Sequence, residues 1–598
     1  MQFNTKQPIV VFGKLLYHDL LKQMQTFLQL KKNLKKDFSS FQSIKVAILG
    51  DSATQFLAQA IRGTGYNEGL DLQIFEADFN QIERQILDPE SELYQFQPDV
   101  ILLYYSSHKL LGKYNKQSTA QQIGFAQQHF DTVQHLLSNL RSQSNARIIY
   151  FNHTEINDAV FGNFATKQES SFLFQIRQLN QWLMQLAIQD KGFFLLDLSS
   201  IQNQYGKSIC FQPSMYINTE MVLSIDILPV VALQATQIIG AMYGRLRKCV
   251  ILDLDNTTWG GIIGDDGIEN IQIGSLGIGK AFTEFQYWVK KLKNRGIIVA
   301  VCSKNTDHVA REPFEKHPDM VLRLTDIAVF VANWENKADN IRHIQRILNI
   351  GFDSMVFLDD NPFERNLVRE NIPGISVPEL PEDPAEYLEF LYQQNLFETI
   401  SYSEEDAGRT QQYQVEAART ALQQRFTNED EFLESLQMVS KVSAFNNFNT
   451  PRVSQLSQRS NQFNLRTVRY TEEEIAALGA SDQHYTFSFT LEDKFGDNGL
   501  ICVIILKKEN NSTLFIDTWF MSCRVLKRTM ENFVTNYIAE FAQANGYNYL
   551  KGEYIATSKN EMVKDHYKNL QFTAENNFWI LDVTNYENKK CFITPQAI

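Results

Sequence analysis

The sequence predicts an α/β protein of three domains, and three observations carry that expectation. Across residues 1–245, and again across 246–380, short apolar runs alternate with helical stretches, the pattern of parallel strands joined by crossover helices. Beyond residue 430 the pattern changes to two long apolar runs around a polar turn, followed by a helix, which reads as α+β. The 598 residues suffice for roughly three to four domains, and 44% apolar content is ordinary for folded protein.

In the first domain strands are expected at 45–49, 99–105, 147–152 and 193–198, after a Lys-rich helical stretch at 14–37 whose lysines form a solvated face. In the second they are expected at 249–252, 297–302, 321–325 and 354–358, the third of these being the weakest pattern. Residues 381–430, rich in Glu, Gln and Asp, read as a helical connection outside any core, with Pro373, Pro378, Pro381 and Pro384 punctuating the approach. In the third domain, 431–598, the runs 500–507 and 514–521 flank Glu509-Asn510-Asn511-Ser512 as a hairpin. A helix at 528–544 ends at Gly546 and a strand follows at 547–554.

A net charge of −13 argues against a general nucleic-acid binder and against an anionic membrane surface. The six cysteines, at 210, 249, 302, 502, 523 and 591, contain no Cys-x-x-Cys pair, so neither a disulfide framework nor a structural zinc site is expected, and a cytoplasmic location is. The first residues lack a signal-peptide pattern, and no apolar run of about 18 residues is present for a membrane span.

The chemistry concentrates in the second domain. Cys249-Val250-Ile251-Leu252 delivers Asp253 and Asp255 to the carboxyl end of a strand, where open α/β sheets bind ligands. Strand alternation points both carboxylates to one side. Two like charges so close call for a cation, and Mg²⁺ is the usual partner of carboxylate oxygens. The next strand ends in Ser303-Lys304-Asn305, a hydroxyl and polar groups suited to phosphoryl oxygens. Asn336-Lys337-Ala338 offers a cation, and Phe357-Leu358-Asp359-Asp360 ends another strand in paired carboxylates. Taken singly, Ser303 or Asp359 would read as a helix cap and Lys337 as a solvated charge. Four carboxylates at two strand ends have no such reading, because unpaired they would repel.

These four motifs, in this order, resemble the haloacid dehalogenase (HAD) superfamily. The resemblance implies that Asp253 is a nucleophile forming an aspartyl-phosphate and that Asp255 is the general acid/base. Ser303 and Lys337, with Lys304 and Asn305 beside them, bind the phosphoryl group. Asp253, the backbone carbonyl of Asp255, and Asp359 or Asp360 hold Mg²⁺. The interval from Asp255 to Ser303 leaves no room for a large cap domain, so a Rossmann-like core open to a bulky substrate is expected.

The chain as a whole resembles the FkbH-like proteins. The resemblance is carried by Ile48-Leu49-Gly50-Asp51-Ser52-Ala53-Thr54, Asp253 to Asp266, Cys302 to Asn305, Arg459-Ser460-Asn461-Gln462-Phe463-Asn464-Leu465, Phe495 to Leu500 and Met521-Ser522-Cys523-Arg524-Val525-Leu526. It implies a flavodoxin/SGNH-hydrolase-like domain at 1–245, the HAD domain at 246–380, a helical linker at 381–430 and a GNAT-like acyltransferase domain at 431–598. It further implies dephosphorylation of a small phosphorylated acyl donor, the glyceryl group of 1,3-bisphosphoglycerate in some members, and passage of the acyl group to an acyl carrier protein thiol. The alternatives are a plain phosphatase or phosphotransferase in polysaccharide or secondary-metabolite biosynthesis, an N-acyltransferase using acyl-CoA, or a non-enzymatic assembly scaffold with a vestigial site.

The flanking domains depart from their patterns. Gly50-Asp51-Ser52 suggests a hydrolase serine, but Ser224-Ile225-Asp226-Ile227-Leu228-Pro229 has Pro where a His would be needed, and Ser106-Ser107-His108 lacks the oxyanion Asn. The favoured reading is a non-catalytic scaffold in which Ser52 caps the following helix. In the third domain, Tyr567-Lys568-Asn569-Leu570-Gln571-Phe572 resembles the GNAT ending Tyr-x-x-x-Gly-Phe, which implies for Tyr567 the place of the acid that protonates a leaving thiolate, the alternative being a buried packing Tyr. Arg524-Val525-Leu526-Lys527-Arg528-Thr529 carries Lys527 and Thr529 where a pyrophosphate loop needs glycines. This weakens CoA binding, yet Arg524, Lys527 and Arg528 would still attract a phosphopantetheine phosphate. Cys523, before this basic run, ranks ahead of Cys302 as an acyl-bearing thiol, while the favoured reading of either is a buried apolar residue.

Overall fold

A computed structural model describes residues 25–402, 409–423, 426–522, 525–557 and 559–596. The chain divides into two compact units, Met1–Gly240 and Ala241–Ile598.

In the first unit β1 (Gln42–Gly50), β2 (Leu70–Glu76), β3 (Val100–Tyr104), β4 (Arg147–Phe151) and β5 (Phe193–Leu196) form a parallel sheet in the order β2-β1-β3-β4-β5. Residues 46–50 of β1 pair in register with residues 100–104 of β3. The strands are near-continuous apolar runs because helices cover both faces of a parallel sheet. The expectation from sequence missed β2, an edge strand whose Asp71 and Gln73 interrupt the apolar run. The order reverses between β1 and β3, so Asp51-Ser52 and Ser106-Ser107-His108 lie together at the carboxyl end. There the backbone N–H of Ser106 donates to both oxygens of the buried Asp51 carboxylate at 3.0 Å. Burial pushes Asp51 up to about 6. Ser52 is fully buried, but it does not cap the next helix, contrary to expectation. The N-cap of that helix, α1 (Gln55–Asn67), is Thr54.

The second unit holds two sheets. β6 (Cys249–Leu252), β7 (Ile298–Ser303), β8 (Val329–Ala332) and β9 (Met355–Leu358) form a parallel sheet in the order β8-β7-β6-β9. The strand expected at 321–325 is absent. The N–H groups of Val321 and Leu322 donate to the side chain of the buried Gln286 instead, and the strand forms eight residues later. Residues 381–430 are not merely a connection. Tyr387, Phe390, Leu391 and Phe397 lie in the core beneath this sheet, with Phe282, Phe285 and Leu358.

The larger sheet runs β16-β17-β15-β14-β13-β12-β10-β18, with β11 paired to β12. Its strands are β10 (Met438–Ser440), β11 (Val442–Ser443), β12 (His484–Asp493), β13 (Gly496–Lys508), β14 (Thr513–Met521), β15 (Tyr549–Glu553), β16 (Thr573–Glu575), β17 (Phe578–Asp582) and β18 (Ile593–Pro595). β14 and β15 are parallel, and they pair from Thr513 to Ile516 only. Past that point the chain's own segment 463–465 takes the freed edge. Leu465 N–H donates to Trp519 C=O, Met521 N–H to Phe463 C=O, and Ile555 N–H to Leu465 C=O, at 2.9–3.1 Å.

The helix Arg409–Gln423 is tied to this sheet by a buried ion network. Arg419 Nη2 lies 2.7 Å from Asp493 Oδ2, Arg528 Nη1 lies 3.3 Å from the same oxygen, and Arg528 also reaches Glu416. Removing one partner of such a network leaves buried charge uncompensated. Asp493→Ala is therefore expected to cost about 3 kcal/mol, read as a fall in the thermal midpoint of this unit. An unchanged midpoint would contradict the network's importance.

Candidate functional site

β6 ends at Leu252, and the chain turns sharply because its first polar groups are committed to local partners. Asp253 N–H donates to Leu358 C=O on β9 at 3.0 Å, and Thr258 Oγ1 donates to Asp253 C=O at 2.6 Å. Asn256 takes a left-handed φ of 54° and accepts the Gly261 N–H on its side chain. Gly260 and Gln272 exchange two backbone hydrogen bonds, closing 260–272 into a short flap. No cap domain is inserted between β6 and β7.

The turn separates the roles of the two carboxylates. Asp253 faces the site, where Lys337 Nζ is 2.9 Å from its Oδ1. The Asp255 carboxylate is held by three donors. The Trp259 indole N–H and the Ile263 N–H reach Oδ1 at 3.0 Å, and Asn305 Nδ2 reaches Oδ2 at 3.1 Å. Burial nevertheless raises the Asp255 pKa, against those hydrogen bonds.

α2 (Gly277–Asn294) follows the flap, and Lys337 is the first residue of α3 (Lys337–Leu348), which Asn336 caps by accepting the Ala338 N–H. The ammonium is only 3% exposed and bridges Asp253 and Asp359, the latter at 2.6 Å. Burial alone would lower its pKa, but the two carboxylates outweigh that and keep it charged. Asp359, at the end of β9, is fully buried. Burial raises its pKa first and Asp253 adds repulsion, while Lys337 and the Asn361 N–H oppose both. Asp360 is raised in the same way by burial and by Asp253. Its carboxylate accepts Thr257 Oγ1 at 3.1 Å.

Carboxylate oxygens of Asp253, Asp359 and Asp360 lie within 4.8 Å of one another. One ammonium does not balance three crowded carboxylates, and an all-oxygen donor set suits a hard divalent cation. The residues present therefore fit Mg²⁺. The Asp255 side chain is turned away from this group, which leaves its backbone carbonyl as its possible contribution.

Other expectations are redistributed. Ser303 is buried at the end of β7, as placed from sequence. Asn305 serves Asp255 rather than facing a ligand, and Lys304 Nζ is tied to Glu364 at 2.6 Å. Cys302 is fully buried with its thiol toward the Lys337 carbonyl, and burial pushes its pKa up, so it does not suit an acyl-bearing role. Cys523 and Arg524 lie outside the described residues. Tyr567 is buried, with no hydrogen-bond partner for its hydroxyl among the described residues and a pKa raised by burial. Arg528 is engaged with Glu416 and Asp493, not presented to a phosphate. Lys527 and Thr529 nevertheless adopt the left-handed φ values of 63° and 58° that glycines would take.

Sequence reasoning missed Trp259 and Arg365. Arg365 Nη1 donates to the carbonyls of Asp359 and Asp360 at 2.8 and 2.6 Å and holds that corner in place. Trp259 lies four residues beyond Asp255 on a Gly-rich turn, a position that carries no helical or strand periodicity to reveal its direction.

Residues 45–240 match the family model described as FkbH, N-terminal domain. The crystal structure of the N-terminal part of BF1531 from Bacteroides fragilis, described as containing a phosphatase domain complexed with Mg, is 56% identical. It covers 63% of this chain and 100% of its own, with a TM-score of 0.61. A spermidine N-acetyltransferase from Vibrio cholerae, in complex with CoA and spermine, is 11% identical over 25% of this chain and 96% of its own. Its TM-score is 0.21. No curated protein matches the sequence.

Asp360→Asn and Asp359→Asn are each expected to weaken Mg²⁺ binding about 10- to 100-fold by calorimetry, and Asp255→Asn far less. Equal losses at all three positions would contradict the division of roles.

Proposed function

Since the chain belongs to the FkbH-like family of phosphatase-domain proteins, we propose that it is a Mg²⁺-dependent phosphatase of the HAD type, acting through Asp253. The observation that carries this reading is the bridging of Asp253 and Asp359 by Lys337, with the Asp255 carboxylate held apart from the metal-binding oxygens.

In the first step a carboxylate oxygen of Asp253 attacks phosphorus. The new O–P bond forms as the bond to the leaving oxygen breaks, and Asp255 gives that oxygen its proton. In the second step water attacks phosphorus, the Asp253–phosphorus bond breaks, and Asp255 takes the proton back. A pKa raised by burial suits Asp255 to carry that proton. Mg²⁺ held by Asp253, Asp359 and Asp360 would neutralise charge on the phosphoryl oxygens. Lys337 adds a second cation and Ser303 a hydroxyl at the same strand ends. Trp259 and Asn305 position Asp255.

At the finer level we propose that the substrate is an acyl donor, that the acyl group passes to the thiol of a carrier protein, and that the C-terminal domain takes part. Attack of the thiol on an activated acyl carbonyl forms the thioester and expels phosphate. Removal of an ester phosphate is the separate step at Asp253. The compact flap at 260–272 supports a substrate carried on a protein, because it leaves the carboxyl end without a cap. Intact mass of a holo-carrier protein after incubation with enzyme, Mg²⁺ and 1,3-bisphosphoglycerate tests this. An acyl adduct is expected, whereas phosphate release with an unmodified carrier would leave a plain phosphatase. The acyl-CoA alternative predicts CoA release with an amine acceptor.

Two substitutions test the chemistry. Asp253→Asn should abolish phosphate release while circular dichroism stays unchanged. Trp259→Phe should lower kcat about 10- to 100-fold, with Mg²⁺ affinity retained. A Trp259→Phe enzyme as fast as the parent would remove the indole from the account.

A further inference from the structure

The loops around the catalytic carboxylates carry a feature that phosphoryl transfer itself does not use. Eight large apolar or aromatic side chains are exposed among the described residues between 246 and 402. Five of them, Ile262, Leu276, Ile278, Trp334 and Phe363, belong to segments at the carboxyl end of the sheet. Ile262 lies in the flap after β6. Leu276 and Ile278 open α2, which must start at that end because β6 and β7 are parallel. Trp334 stands three residues before Lys337, and Phe363 three after Asp360. Trp334 is 73% exposed and Phe363 68%. Single exposed apolar residues are ordinary, but their concentration around a functional mouth is not.

β8 and β9 are the two edges of the sheet. Three strand spacings separate them, about 14 Å, so the segments carrying Trp334 and Phe363 leave opposite edges of the sheet. That opening is wider than a three-carbon phosphate needs.

Charge at this mouth has one sign. Residues 253–280, 303–308, 333–337 and 359–363 contain three cations, and each is paired. Lys280 lies 3.5 Å from Glu284, Lys304 is 2.6 Å from Glu364, and Lys337 lies between Asp253 and Asp359. The same segments expose Asp265, Asp266, Glu269, Asp307 and Glu335. In these segments a second phosphate on the substrate would meet carboxylates and apolar surface, and each ammonium there already faces a carboxylate.

We infer that the group bringing phosphate to Asp253 carries no second phosphate and extends into an apolar portion, and that Trp334 and Phe363 hold that portion from either side. The inference rests on the phosphatase reading and narrows its substrate to a single phosphate on an uncharged or apolar arm. It also orders the reaction. An activated acyl phosphate must be consumed before the substrate enters this site, so a thioester-forming step supplies what the phosphatase site receives.

The test uses full-length Asp253→Asn protein with Mg²⁺, titrated calorimetrically with 2-naphthyl phosphate, glycerol 3-phosphate and fructose 1,6-bisphosphate. The naphthyl ester should bind tightest. Adding Trp334→Ala and Phe363→Ala should weaken it about tenfold, a loss of about 1.4 kcal/mol, and leave glycerol 3-phosphate within about twofold. A bisphosphate that binds tightest, or naphthyl binding unchanged by the two substitutions, overturns the inference. Turnover of the same esters by the parent enzyme is measured alongside. If none releases phosphate, the phosphatase reading fails, and the binding series still decides what the rim recognises.

Discussion

One buried ammonium organises the catalytic half of this protein. Lys337 enters from the first turn of its helix and reaches Asp253 on β6 and Asp359 on β9 at once. Those strands are neighbours, and Asp253 N–H is already bonded to the backbone of Leu358. Three carboxylates held this close in a buried place would repel strongly without a counter-charge. The lysine removes part of that repulsion, and the remainder is what makes the site a receptor for a divalent cation and, after it, a phosphoryl group. The same electrostatic demand thus stabilises the fold locally and selects the ligand.

Around that centre the chain assigns each carboxylate a different partner set. Asp255 is one residue from Leu254 and two from Asp253, yet the left-handed Asn256 and the following Gly-rich turn bring an indole and a backbone N–H to it. A carboxylate satisfied by three donors is oriented for proton transfer rather than for metal binding. Asp359 and Asp360 are separated by a similar device, with Asn361 and Lys337 on one and Thr257 on the other. Arg365 then braces both carbonyls from the following helix.

Much of this was legible in the sequence because the decisive signals are local. β6 and β9 are unbroken apolar runs ending in acidic pairs, and both strands formed where the pattern placed them, to within one residue. What escaped depended on contacts distant in the chain. The run at 321–325 looks like a strand, but Gln286, some 35 residues earlier, takes its N–H groups. Tyr387, Phe390 and Leu391 sit in an acidic, Gln-rich segment whose composition resembles a linker, and only the packed sheet shows their apolar stripe to be core. Trp259 and Asn305 acquire their roles from the shape of a turn and a strand end, which carry no periodicity. In the C-terminal domain, glycine loss at Lys527 and Thr529 suggested a changed loop, yet the backbone keeps the left-handed conformation at both.

The central claim is that Asp253 itself accepts phosphate. Enzyme quenched in acid during turnover, digested and analysed by mass spectrometry, tests it most directly. The account predicts one phosphoryl group on the peptide containing Asp253, placed on that residue by fragmentation and persisting longer in Asp255→Asn protein. Sustained turnover with an unmodified Asp253 peptide, or a phosphoryl group on another residue, would contradict it.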